Sequence, residues 1–159
     1  MTLITRTLLA ATLVAACAAP ALAQNTHPVI ERIDAQGMHA LVTGLGHEVT
    51  NETVTEGGQP ILTATSGNMN YMVTGTACEN GQCQGLLTEL VFTNTPATAE
   101  IANQVNQTYA AIKLVVVDGD TVVFSRYDVL NGGTTLGALS SSVDTLLDIA
   151  ASIVQTSNE

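Results

Sequence analysis

The sequence predicts an α+β domain, an antiparallel sheet with helices packed on one side, in the order α-ββββ-α-ββ-α. Three observations predict it. Apolar residues recur at helical spacing in three segments and fall to a period near two in the segments between. Turn-forming residues punctuate the strand-like stretches at residues 56–59, 66–68, 80–81 and 118–120. The strands also follow one another in runs, the pattern of a sheet with segregated helices.

Each element has its own local reason. Residues 24–33 are a short leader whose Val29, Ile30 and Ile33 can dock on a core. A first helix is expected over residues 36–45, with Asp34 near its cap, Gly46 just past its end, and Met38, Leu41, Val42 and Leu45 on one face. Residues 47–54 read as a rather polar strand, 60–65 as a second, 70–78 as a third with Tyr71, Met72 and Val73 shared between its faces, and 86–93 as a fourth. Thr95-Pro96 opens a second helix, Thr95 as cap and Pro96 in the first turn, where its missing N–H costs nothing. The expected buried stripe of that helix is Ala97, Ile101, Val105 and Thr108. Residues 113–117 and 121–127 form a hairpin about Asp118-Gly119-Asp120, since Asp-Gly is a strong hairpin signal. After Gly132-Gly133 comes a long last helix with Leu136, Leu139, Val143, Leu146, Leu147, Ala150, Ile153 and Val154 on one broad apolar face. That face looks wider than one side of a small sheet needs, and the remainder would suit a dimer partner or a client peptide.

The amino terminus reads as an export signal over residues 1–23, followed by one domain over residues 24–159. Arg6 supplies the positive region, residues 8–16 a short apolar run, and Ala21-Leu22-Ala23 a small-residue cleavage site. Val14-Ala15-Ala16-Cys17 is also a fair lipoprotein box, in which Cys17 would be lipidated and anchor the chain. The Ala-Leu-Ala site is the cleaner of the two, so the expected location is the periplasm or outside the cell. No later stretch reads as a membrane span. After cleavage three basic residues face fourteen acidic ones, a net charge of −11, against −10 for the whole chain. Such a balance repels phosphate backbones and anionic head groups, so nucleic-acid and lipid-surface partners are disfavoured.

No catalytic motif emerges from the remaining chemistry. Cys78 and Cys83 flank an Asn-Gly turn, and three roles compete for them. A metal site needs about four ligands, and no second cluster is near in sequence. Redox pairs generally show C-x-x-C spacing at a helix start. An exported chain favours a structural disulfide, which would fix the register of the third and fourth strands. His47-Glu48 begins like a zinc-protease motif, but Asn51 stands where the second His is required. His27 and His39 are scattered, and the expected metal and cofactor content is none. Asp118, Asp120 and Asp128 could crowd a cation, although hairpin chemistry explains the first two. Ser140, Ser141 and Ser142 have no partner at a recognisable offset and read as polar-face or close-packing residues. Asn103 and Asn106 are i, i+3 neighbours on a helix, where Asn is a mediocre former. They are either solvated or capping residues, or they make a polar contact from this helix to the sheet or to a ligand.

Several short motifs follow in a telling order: residues 44–49 after the first helix, Cys78…Cys83, residues 103–108, Asp118-Gly119-Asp120, and residues 128–133 with their Gly-Gly exit. In this order they resemble the YbjN-like family of bacterial sensory transduction regulators over nearly the whole mature chain. The helix at 103–108 looks like that family's Asn-x-Trp-Asn helix, with Val105 where Trp is usual. Most aromatics of the third strand are missing too. The resemblance implies a fold similar to type III secretion chaperones, whose work is protein binding. The expectation is therefore an exported, non-enzymatic binding or regulatory module with a protein partner or a second copy. The alternative is a small periplasmic hydrolase or ligand-binding protein in which acids such as Glu48, Glu52 or Asp128 meet a histidine. Any small-molecule ligand is left open.

Overall fold

The computed structural model describes residues 28–157, with side chains as far as Gln155. The expected signal segment, Cys17 and His27 lie outside the described residues. Strand β1 (Val29–Ile30) leads into helix α1 (Ala35–Gly44) and strands β2 (Glu48–Val54), β3 (Pro60–Ser66), β4 (Met69–Glu79) and β5 (Gln82–Thr93). Helix α2 (Ala99–Thr108), strands β6 (Lys113–Asp118), β7 (Thr121–Val129) and β8 (Thr134–Thr135), and helix α3 (Leu136–Ser157) complete the chain. Six strands form one antiparallel sheet in the order β2-β3-β4-β5-β7-β6, while β1 and β8 pair separately. The α+β class and the sheet with helices on one side are as the sequence predicts.

The register divides each long strand between two faces. Leu62, Tyr71, Val73, Leu86, Leu90, Val122, Phe124 and Leu114 alternate onto the helix-covered face and are almost completely buried. Met38, Leu41 and Val42 of α1, Ala102 and Val105 of α2, and Leu139, Val143, Leu146, Leu147 and Ala150 of α3 close over them. Full burial of each large aliphatic side chain stabilises the fold by roughly 1.5–3 kcal/mol, so this single layer carries most of the hydrophobic driving force. Phe92 adds an edge-on contact with Phe124, their ring centres 5.7 Å apart.

Four local expectations change. The β4–β5 ladder runs through the cysteines, because Asn80 (φ 52°) and Gly81 (φ 77°) make a two-residue hairpin turn by themselves. Helix α2 is capped by Thr98, whose Oγ1 accepts from Ile101 N at 3.3 Å, and not by Thr95. Thr95 N and Ala97 N instead donate to the carbonyls of Asp120 and Gly119, which holds residues 95–97 extended against the β6–β7 turn. The later start turns the buried stripe onto Ala102 and Val105 and leaves Ile101 exposed. In the leader, Ile33 is buried and Ile30 half-buried, but Val29 stays largely exposed beside Gly133. Finally, Leu136–Gln155 is long and apolar enough to span a membrane by length and composition, contrary to the sequence expectation. Here α3 lays its apolar side on the sheet, and Leu136 is its one markedly exposed large apolar side chain among the described residues.

Candidate functional site

The spare apolar surface lies on the sheet and not on the last helix. All three helices cover one face, and the residues alternating onto the other form a continuous apolar field. Leu87 and Val91 of β5, Val123, Tyr127 and Val129 of β7, and Val115 and Val117 of β6 face that side. Val91, Val117, Tyr127 and Val129 are each more than half exposed. Valine and tyrosine suit a pleated strand, so local propensity explains their presence in strands but not their exposure together.

A groove of about 760 Å³ runs along this field, walled by β5, β7 and β6 and by the bend at residues 110–112. The Tyr127 ring closes one end. Its Oη accepts from Thr76 Oγ1 at 3.1 Å and lies over Gly85, where any side chain would collide with it. Gly85 is thus required by the tyrosine that lies across it. One row crosses the middle of the field, with Glu89 on β5, Ser125 on β7 and Lys113 on β6 in direct register. Neither Glu89 nor Lys113 has an ion-pair partner among the described residues.

Cys78 and Cys83 face each other across the β4–β5 ladder, bonded sulfur to sulfur. Cys83 is fully buried and Cys78 partly so; the bridge packs over Gly75 and against Pro60. The main chain of Cys83 also exchanges two hydrogen bonds with Ile33, at 2.9 and 2.8 Å. Next door, Asp34 caps α1 by accepting from Gly37 N at 2.8 Å, and its other oxygen accepts from Gln82 Nε2 at 2.8 Å. The Gly37 N–H, followed by the Gln82 amide, holds the Asp34 carboxyl below its ordinary range. The cysteine hairpin, the leader and the first helix are therefore one tied unit.

The two asparagines separate. Asn103 is exposed, whereas Asn106 reaches β6, donating to Leu114 O at 3.0 Å and accepting from Leu114 N at 2.7 Å. In effect its side-chain amide acts as one residue of a seventh strand, satisfying the outward main-chain groups of an edge residue. Val105 of α2 is buried against the core.

The other candidates do not converge on one site. Asp118 Oδ1 accepts from Asp120 N at 3.0 Å, and this bond, with help from Thr121, holds its carboxyl below the usual range. Asp128 lies seven residues past Thr121, roughly 24 Å along the strand at the usual rise, so the three aspartates share no cation site. Asp128 instead takes a bond from Ser142 of α3 and one from Arg126, whose Nη1 also donates to Ala111 O. The partner of the serine run, unread in the sequence, pins α3 to β7. His39 of α1 bonds Glu52 at the exposed β2 edge. Of the three acids in the alternative reading, Glu52 thus meets a histidine, at an exposed edge. Glu48 is exposed on the same strand and Asp128 lies four strands away, so the acids are not gathered into one site. His47 Nδ1 pairs with Tyr71 Oη at 2.9 Å, and burial, reinforced by Asp144, pushes the Tyr71 phenol up to about 12. No group of three or more His, Cys, Asp and Glu side chains converges among the described residues.

The model of the YbjN family, described as "Putative bacterial sensory transduction regulator", matches residues 37–157. The chain belongs to the YbjN family. No curated protein and no solved structure matches it. The matched span of this YbjN protein runs from the first turn of α1 to the end of α3. It contains the whole open face, the cysteine hairpin and Asn106, and it leaves out β1 and the Ile33 arm. Nothing in the sequence marked the open face as a unit. The available signal was the consecutive runs Val115-Val116-Val117 and Val122-Val123, which load both faces of a strand where simple alternation would load one.

Proposed function

We propose that this YbjN protein is an exported, non-enzymatic regulatory module that works by protein–protein association, in a chaperone-like manner, through the open face of its sheet. The observation that carries this reading is the asymmetry of the sheet: three helices bury one face, while the other keeps a groove and a field of half-exposed Val, Leu and Tyr side chains. Contiguous exposed apolar surface of this kind is typical of interaction sites. Family membership supports a regulatory role. The bonded, partly buried Cys78 and Cys83 support an oxidising compartment, as does the export signal read in residues 1–23.

A photocrosslinking residue placed at Val91 or Val129 and activated in intact cells tests the reading. Protein adducts are expected from these positions and not from Asp148, on the outer side of α3. Equal yields from all three, or none, would sink it. Intact mass of the purified protein tests the location: cleavage after Ala23 gives the soluble form, and a lipidated Cys17 an anchored one.

A further inference from the structure

The central row of the open face says what fits on it. Glu89 and Lys113 flank Ser125 symmetrically, one strand to either side, about 10 Å apart at the usual strand spacing. Asp118, opposite Thr121 after the β6 bulge, adds a carboxylate at the turn end of this face. Along its middle, among the described residues of strands β5 to β7, Glu89 and Lys113 are the only charged side chains in register, so the centre of the face is neutral in a chain of net charge −10. A strongly acidic protein should repel another copy of itself. Here the repulsion is suspended, and the two opposite charges stand unpaired at mirror positions.

Resting on the reading that this face is an interaction surface, we propose that its occupant is a second copy of the chain. The two sheets stack face to face about a two-fold axis running along β7. That operation keeps each residue at its height along the strands and exchanges the two sides of β7. Glu89 of one protomer then lies over Lys113 of its partner, and Lys113 over Glu89. Ser125 meets Ser125 on the axis, Val123 meets Val123, and Val91 lies over Val115. Stacked sheets sit about 10 Å apart, a gap that a lysine and a glutamate reaching from opposite sides can close. An isologous interface needs such self-complementarity, each contact being made twice. A client peptide would need no matched pair of opposite charges.

The test uses the full-length gene product, purified as the cell processes it, in sedimentation equilibrium at moderate salt. The wild-type protein is expected to be a dimer. Glu89→Lys or Lys113→Glu alone puts two like-charge contacts into the interface and should raise the dissociation constant by about tenfold or more. The double reversal, Glu89→Lys with Lys113→Glu, should restore it. Ser125→Cys, on the axis, should be joined into a covalent dimer by a short bismaleimide, which bridges the gap between the stacked sheets and reads the geometry without depending on the charge variants. A monomeric wild type, or a double reversal no tighter than the singles, overturns the proposal. If the protein is monomeric but crosslinkers on the open face capture a different protein, the dimer fails and the proposed function stands; if they capture nothing, both fail.

Discussion

The two faces of the one sheet are built from neighbouring residues of the same strands, yet they do different work. Phe124 is fully buried under the helices; Val123, one residue earlier, points the other way and is part of the open field. On the covered face, volume and shape are constrained by α1, α2 and α3. On the open face only strand propensity and neighbouring side chains constrain the residue. The lesson is that stability and association can be separated by the parity of a residue number.

Experiments can break or sharpen that contrast. The largest effect is expected from Phe124→Ala, which should cost about 3–5 kcal/mol in urea unfolding, whereas Val123→Thr should stay within about 0.5 kcal/mol. Comparable losses would abolish the distinction between the faces. Alkali should probe the covered face through Tyr71. The Tyr71 phenol is held neutral to about pH 12, against an ordinary value of 10.0. A raised value contributes stability that is complete below pH 10 and lost as pH rises towards 12, on the order of 2–3 kcal/mol. Tyr71→Phe should remove that alkaline slope, as followed by circular dichroism. Replacing Cys78 and Cys83 together by Ser should cost about 2 kcal/mol, the loop closed being short. Asn106→Ala should cost about 1–2 kcal/mol by stranding the main chain of Leu114, with Asn103→Ala near zero. The smallest effect has the opposite sign. Thr88 is buried on the covered face with no hydrogen-bond partner for its hydroxyl among the described residues. Thr88→Val should therefore raise the unfolding midpoint, by up to about 1 kcal/mol of stability.

Much of the fold was legible because it rests on local signals. Asp34 before an apolar helical stripe, Asn80-Gly81 between strand-like runs, and Asp118-Gly119-Asp120 each specify a turn or cap through their own backbone chemistry. The cap of α2 was misplaced because Thr95 and Thr98 carry the same chemistry. The choice falls to the carbonyls of Gly119 and Asp120, which are distant in sequence. The partner of Asn106 was hidden for the same reason: an amide on a helix does not announce which edge strand it will complete. The bond from Ser142 to Asp128 likewise depends on where α3 crosses β7. The open face was least legible of all. Exposure is a property of what fails to cover a strand, and no residue within the strand encodes it.

The amino-terminal arm sets the order in which the molecule can be finished. Ile33 pairs with Cys83, about fifty residues later, and Val29 with Thr135, more than a hundred later. A chain delivered amino end first therefore holds residues 29–33 idle until nearly all of the rest has appeared. Pairings so far apart in sequence close slowly, after the local hairpins have formed. The arm at residues 29–33 is thus among the last segments to be fastened, and its docking joins it to the start of α3 over a sheet already assembled.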